Sequence, residues 1–456
     1  MNSGSIISSV SINRGHGSSS KHLSAIPKLA FVLALLLAGA MWFYVQQVMI
    51  AHQLSDAALY GIPRGNLSDL YPRWLGAREL LLHHRDPYSA EVTREIQIGY
   101  YGRVLDPAHL HDPADQQGFA YPVYIVFLLA PTIGLPFAIV QTGFRWLLVA
   151  LTAACVPVWL RVFRRRASAW AAATIVVLLV GSLQALQGIK LQQLTLLVAA
   201  LVAFSALLLQ RDRLAAAGVL LALATIKPQL VLLLSSWLLL WALSDWRKRK
   251  AFVWGFAGTL LVLVVAGEIV LPGWLGHFYQ AVIAYRHYNN GAESTLELLF
   301  TPVWGRAVAA VIILGLVIIC WRFRHVSKDA ATFHWIFVTI LAATNVIAPK
   351  QAPYNQLLLL APVLLVVSYW PVLWASNTSF RAALAITTLI LTWPWLAAFG
   401  ITVASLFLAN SSLQGAWQIP LYFLPLVPLL MFAVVAFASL QLLPRSAADI
   451  ASARGR

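Results

Sequence analysis

What this 456-residue sequence has least of is charge. Only 11% of its residues are Asp, Glu, Lys or Arg, where a soluble domain carries about 25%. So few charges cannot clothe a water-facing surface, which excludes an ordinary soluble fold. The 60% hydrophobic content excludes intrinsic disorder. Cysteine is nearly absent too. Cys155 and Cys320 both sit in apolar runs, leave no disulfide framework and belong to no metal-ligand spacing. Acids are the scarcer sign, 16 against 32 Lys and Arg, a net charge of +16. In a soluble chain that excess would point to nucleic acid. In a chain of mean hydropathy +0.76 it reports orientation, because basic residues stay on the cytoplasmic side of a membrane. The expected class is an all-α polytopic membrane protein with no nucleic-acid partner, embedded in membrane lipids.

Residues 1–28 are Ser/Gly-rich, hold Arg14, Lys21 and Lys28 and no acid, and read as a disordered cytoplasmic tail. The next 22 residues, Leu29 to Ile50, would span roughly 33 Å as a helix, enough for a bilayer core. Thirteen apolar runs follow one another between residues 29 and 443. Charge decides which of them cross. The clusters Arg161–Arg166, Arg211/Arg213, Arg247–Lys250 and Arg322/Arg324/Lys328 all fall inside only if run 119–137 does not cross. That run carries Pro122, Pro131 and Pro136, which break helical hydrogen bonding and suit a re-entrant segment. By the same logic, run 214–244 must be two short helices broken at Lys227-Pro228, since the residue before a proline is biased away from helix. About 12 transmembrane helices result, with both termini cytoplasmic. The inside then holds 20 basic and 4 acidic residues, and the outside 12 of each. The whole excess lies on one side.

The resulting organisation is a tail (1–28), a single transmembrane domain (29–443) and a C-terminal cytoplasmic tail (444–456). The domain carries a first outer loop at 51–138, with interfacial and re-entrant helices, and a second at 272–301. The first loop holds nine of the sixteen acids, and a long loop among short ones is usually functional. Ser68 to His83 reads as an amphipathic helix lying in the outer interface, with Leu70, Trp74, Ala77 and Leu81 on one face and Ser68 or Asp69 as N-cap. Asp86-Pro87-Tyr88-Ser89 reads as the turn that ends it. Asn66, Asn377 and Asn410 start N-x-S/T triplets by chance, and much of the Trp content is interfacial belt.

Several segments carry a resemblance. Ser68-Asp69-Leu70-Tyr71-Pro72-Arg73-Trp74-Leu75-Gly76-Ala77-Arg78-Glu79, followed by Asp86-Pro87-Tyr88, is similar to the first-loop signature of glycosyltransferase family 87. These are polyprenol-phosphate-sugar-dependent membrane enzymes of the GT-C fold, and they include mycobacterial mannosyltransferases. Phe119-Ala120-Tyr121-Pro122 with Pro131 and Pro136 resembles the family's proline-rich segment. Gln187-Gly188-Ile189-Lys190-Leu191-Gln192-Gln193 resembles its outer turn. Thr225-Ile226-Lys227-Pro228 and Ala348-Pro349-Lys350-Gln351 with Tyr354 resemble its later motifs. The resemblance implies inverting transfer of a sugar from a polyprenyl-phosphate donor to a glycan or glycolipid acceptor. The chemistry would take place on the periplasmic face of a bacterial inner membrane. The catalytic base would be the first-loop aspartate, here Asp69. No cofactor beyond that donor substrate, and no metal, is implied.

The residue chemistry fits this reading. Inverting transfer needs one carboxylate to take the acceptor proton while a phosphate leaves, and cations should meet that phosphate. Asp56 is the other candidate base. The candidate substrate-binding residues are Arg73, Arg78, Lys190, Lys227, Arg286, His287, Lys350 and Tyr354. Lys227 and Lys350 each stand alone between apolar runs, where an ionisable group is costly. Each of these residues also has an alternative reading as a solvated, snorkelling or belt residue. Twelve crossings also suit a transporter or lipid-linked glycan flippase, and a polysaccharide polymerase or ligase. The halves show no internal repeat of the kind transporters often carry.

Overall fold

The computed structural model describes residues 19–106, 108–288, 293–349 and 352–454. The expectations for residues 1–18, Asn289, Asn290, Lys350, Gln351 and 455–456 lie outside them. Every regular element among the described residues is helical.

Helix α1 (Ser19–Phe43) begins inside the stretch read as a tail. It passes through a π-helical turn (Tyr44–Met49) into α2 (Ile50–Tyr60), which stops at Gly61 in the left-handed conformation, φ +65°. The apolar part of this rod, Pro27–Tyr60, is 34 residues long. At 1.5 Å per residue it measures about 50 Å, longer than a hydrocarbon core of about 30 Å. The helix therefore continues past residue 51 as far as Tyr60. Hydropathy marks where apolar residues thin out, whereas the helix continues until a glycine allows it to turn.

The first loop folds on itself. Helix α3 (Tyr71–His83) packs against α4 (Ala90–Tyr101) and against α5 (Ile125–Leu129). The ends of α3 and α4 are stapled by Arg85, which reaches Glu79 at 2.9 Å and Glu95 at 2.7 Å. The expectation of an amphipathic helix in the interface is overturned. Pro72 through Ala77, Glu79 and Leu80 are all buried, including residues on opposite sides of the helix. Hydrophobic periodicity cannot tell lipid from protein as the covering medium. Asp69 is no cap either: α3 starts after Leu70, with no side-chain capping bond. The Asp86 turn forms as expected, with Tyr88 N donating to Asp86 Oδ1 at 2.9 Å.

Run 119–137 contains only five-residue α5 and a short 3-10 turn (Ala130–Thr132), too short to cross, and Pro136 opens α6 (Phe137–Val162). Helices α7 (Ala169–Val180) and α8 (Leu183–Lys190) are bent by 57° where Ser182 caps α8. After α9 (Leu194–Gln210), the expected break appears. Helix α10 (Leu214–Leu223) runs into a 3-10 turn, Lys227 adopts φ −122°, and Pro228 opens α11 (Pro228–Leu243). Helix α10 crosses α12 (Trp246–Val270) backbone to backbone. A Cβ on Gly218 would stand 2.3 Å from the Phe252 carbonyl, and one on Gly255 2.1 Å from that of Ala215. Small residues at such crossings let helices associate without a hydrophobic drive, which lipid removes.

Helices α13 (Trp274–Tyr288) and α14 (Thr295–Phe300) form the second loop, and α15 (Pro302–Arg322) follows. Helix α16 (Ala331–Ile347) is buried from Thr332 to Val346, as expected of a helix apolar on all sides at the centre of a bundle. By contrast, α12 and α15 leave Leu261, Val262, Val311 and Val317 uncovered, surfaces suited to lipid. The apolar stretch after α16 is broken into a 3-10 turn (Pro353–Leu359), α17 (Leu360–Ser368) and α18 (Trp370–Trp374). Helices α19 (Thr378–Ala404), α20 (Asn410–Gly415) and α21 (Leu426–Arg454) complete the chain. Among the described residues, six helices are long and apolar enough to cross a membrane, or seven if α7 and α8 count as one span. The protein is a multi-pass, all-helical membrane protein.

Candidate active site

Three neighbouring pieces of chain meet where α3 begins. Asp69 N donates to the carbonyl of Leu191 at 2.9 Å, and Ser68 Oγ to Gln192 Oε1 at 2.6 Å. Gln192 is fully buried with φ +50°, a conformation that costs a non-glycine residue and persists only when packing holds it. Its amide closes the turn by donating to the carbonyls of Ile189 and Lys190 at 2.7 and 2.6 Å. This turn delivers the next residue, Gln193, to the Asp69 carboxylate.

Asp69 Oδ1 accepts from the Tyr100 hydroxyl at 2.9 Å, and Oδ2 accepts from Gln193 Nε2. The other end of the same amide, Oε1, accepts from Lys227 Nζ at 2.8 Å. Lys227 also donates to Thr195 Oγ1 at 2.8 Å, and Thr195 donates to Asn355 Oδ1 at 3.0 Å. A hydrogen-bonded line thus runs from carboxylate through amide to ammonium. Each carboxylate oxygen has two lone pairs, so Asp69 retains room for a further donor. Burial, then the Asp69 charge, pushes the Tyr100 phenol well above its usual range, so it stays a neutral donor.

Arg73 Nη1 donates to the Asp69 carbonyl at 2.7 Å, and its guanidinium lies 4.3 Å from the Tyr121 ring centroid. Burial opposes its charge, but Tyr121, Asp69, Tyr285 and Asp115 outweigh burial and hold the guanidinium protonated. Lys227 Nζ lies 5.8 Å from the Tyr121 ring and 5.3 Å from the Tyr354 ring. The turn at Asp86 fixes Tyr121, because the Tyr88 hydroxyl donates to its carbonyl at 2.6 Å. Asp86 also pairs with His277 of α13 at 3.0 Å, which ties the second loop to the first.

Of these groups, Asp69, Arg73, Tyr121, Gln193, Lys227 and Tyr354 line a cavity of about 540 Å³ that opens between the first loop, Lys227 and α13. Of the residues singled out from the sequence, it gathers Asp69, Arg73, Lys227, Arg286 and Tyr354. Arg78 points to the Trp74 ring at 5.6 Å and does not line it. Neither does Lys190, on the far side of its turn near Arg64, nor the exposed His287. Asp56 pairs with His52 at 3.2 Å within α2 and is also absent from the lining. Lys350 lies outside the described residues. Sequence reasoning passes over Gln193, Tyr100, Tyr121 and Asp115 as site residues. Gln193 and Tyr121 lie inside recognisable motifs, but neither carries a charge to draw attention.

A multi-pass helical membrane protein whose cavity holds a braced carboxylate and two buried cations has the makeup of an enzyme working at the edge of a lipid phase. A family model, glycosyltransferase family 87, matches residues 119–349, just over half of the chain. The chain belongs to that family and is an enzyme of glycosyl transfer. No curated protein and no solved structure gives a match. The transporter and flippase alternatives give way to this membership.

Proposed function

We propose that the protein transfers a sugar, with inversion, from a polyprenyl-phosphate-linked donor to a hydroxyl of a glycan or lipid acceptor on the outer face of a bacterial inner membrane. The observation that carries this reading is the line Asp69–Gln193–Lys227 inside a single cavity. Asp69 takes the proton of the acceptor hydroxyl as that oxygen bonds to the anomeric carbon. The bond from that carbon to the phosphate oxygen breaks, and its electron pair leaves with the polyprenyl phosphate. Lys227 and Arg73 meet the phosphate charge. An ionised phosphate adds full charge–charge attraction to what the neutral amide and hydroxyl oxygens offer the Lys227 ammonium. Polyprenyl phosphate is a good leaving group, so neither a second acid nor a cofactor is needed.

The membrane layout proposed with this is the twelve-crossing one, both ends cytoplasmic. It is supported by the one-sided charge and by five shorter apolar helices, Leu194–Gln210, Leu214–Ile226, Pro228–Leu243, Ala331–Ile347 and Pro353–Ser368, at the remaining expected crossings. The test is turnover of the full chain in proteoliposomes with a panel of polyprenyl-phosphate sugars. Release of lipid phosphate, with a product of inverted anomeric configuration, is the expected result. Folded protein that turns over none of the panel, or gives retained configuration, refutes the proposal.

A further inference from the structure

We propose that Gln193 is a positioning residue that keeps the base and the phosphate-binding cation from pairing with each other. This rests on the sugar-transfer reading and concerns how the site stays ready for its donor. Opposite charges on neighbouring buried side chains attract strongly in a low-dielectric interior. Asp69 and Lys227 stand one amide group apart. Gln193 Nε2 donates to Asp69 Oδ2, and Gln193 Oε1 accepts from Lys227 Nζ at 2.8 Å. Only this orientation of the amide fits, since an ionised carboxylate accepts and an ammonium donates. Direct contact would cost both partners their function. The carboxylate would become a weaker base, and the ammonium would be occupied before a phosphate arrived.

The helix forgoes a local bond for this arrangement. Gln193 is the N-cap of α9, the position from which a polar side chain can accept from the first turn of its own helix. It makes no such bond, and its side chain lies buried against the cavity instead. Its backbone is fixed from the preceding turn, with the Gln193 N–H donating to the Gly188 carbonyl at 2.8 Å. Both neighbours are also held from a second side. Tyr100 donates to Asp69 Oδ1 at 2.9 Å, and Lys227 donates at 2.8 Å to Thr195 Oγ1, in the first turn of the same α9. A lysine has a flexible four-carbon stem, so without the amide its ammonium is free to swing to the carboxylate. An amide suits the place because it donates at one end and accepts at the other while carrying no charge.

The test is a double-mutant cycle on the full chain in lipid nanodiscs, read as the Kd of farnesyl phosphate, a short polyprenyl phosphate. Binding is the readout because Asp69→Asn removes the base and with it turnover. Gln193→Met fills the space and has neither end of the amide. With Asp69 in place it should weaken farnesyl phosphate binding about tenfold, because Lys227 closes on the carboxylate. In the Asp69→Asn background the same substitution should change the Kd by less than about threefold, since no charge remains there to capture the ammonium. Combined with Lys227→Met, it should weaken binding no further than Lys227→Met does alone. Gln193→Ala carries the same readouts if Gln193→Met fails to accumulate. A Gln193 that merely supports the fold would weaken binding equally with Asp69 or with Asp69→Asn. That result, or unchanged binding by Gln193→Met with Asp69 in place, overturns the inference. Folded wild-type protein that binds no farnesyl phosphate is a different failure, of the donor site in the sugar-transfer reading, and it takes this role with it.

Discussion

Asp69→Asn separates the base from its scaffold. In the wild type, Oδ2 faces the Gln193 amide and Oδ1 the Tyr100 hydroxyl. An asparagine NH2 at the Oδ2 position would oppose the Gln193 NH2. Turning Gln193 over would only move that conflict to Lys227. The alternative is to place the new NH2 toward Tyr100, whose hydroxyl can turn from donor to acceptor. The variant therefore folds, exchanging two charge-assisted hydrogen bonds for neutral ones at a cost of about 1–2 kcal/mol. What it cannot do is take a proton. Loss of a positioned general base typically costs about 10²–10⁴ in rate, or roughly 3–5 kcal/mol of transition-state stabilisation. The assay is kcat for lipid-phosphate release in proteoliposomes, normalised to folded protein. Tyr100→Phe added to Asp69→Asn should then cost little more, since the phenol acts through the carboxylate. Normal amounts of the Asp69→Asn protein turning over within about threefold of wild type would refute the assignment and shift attention to Asp115.

Lys227→Met removes the ammonium while roughly keeping its length, and should raise donor KM more than acceptor KM, by about tenfold or more; separate titrations of the two substrates decide it. Gly255→Ala drives a methyl to 2.1 Å from the Ala215 carbonyl, so the α10–α12 crossing must open. Its detergent-solubilised form should melt several degrees lower, at a cost of about 1–3 kcal/mol. Hydrogen bonding from Arg103 holds the Asp112 carboxyl below its ordinary value of 3.8. Its contribution is therefore complete above pH 3.8 and lost as pH falls through the lower folded value. Limited proteolysis of residues 102–118 should be flat from pH 7 to 5 and rise only below about 4, whereas Asp112→Asn should be cleaved readily at neutral pH.

The all-helical, apolar character of the chain was legible because it rests on terms that dominate the energetics. Apolar runs, proline and cation placement located the long helices, the break at Lys227-Pro228 and the run at 119–137 that is too short to cross. The Asp86 turn was legible because its chemistry is local. The site was legible only in part. A lone lysine inside apolar sequence is costly enough to notice, and Lys227 lies in the cavity. Charge on a flexible side chain says which side of the membrane it occupies but not where it points, so Arg78, Lys190 and His287 were grouped with it and lie elsewhere. Gln193 carries no such cost, and its role arises from a buried left-handed turn at Gln192 that no periodicity reveals. Helix α3 was found, but its covering is protein, a tertiary fact absent from its own thirteen residues.

An amide between a base and a cation is an insulator. Gln193 fixes the orientation of both neighbours, yet it has no group that titrates near neutral pH and so cannot pass a proton from Asp69 to Lys227. The proton that Asp69 collects has no exit along that line, and Tyr100, the other partner, is a buried phenol that resists ionisation. In the proposed reaction its way out is the cavity itself, which the product must also leave. Recovery of the base is then coupled to product departure, and a solvent isotope effect on turnover would be felt at release as much as at bond making.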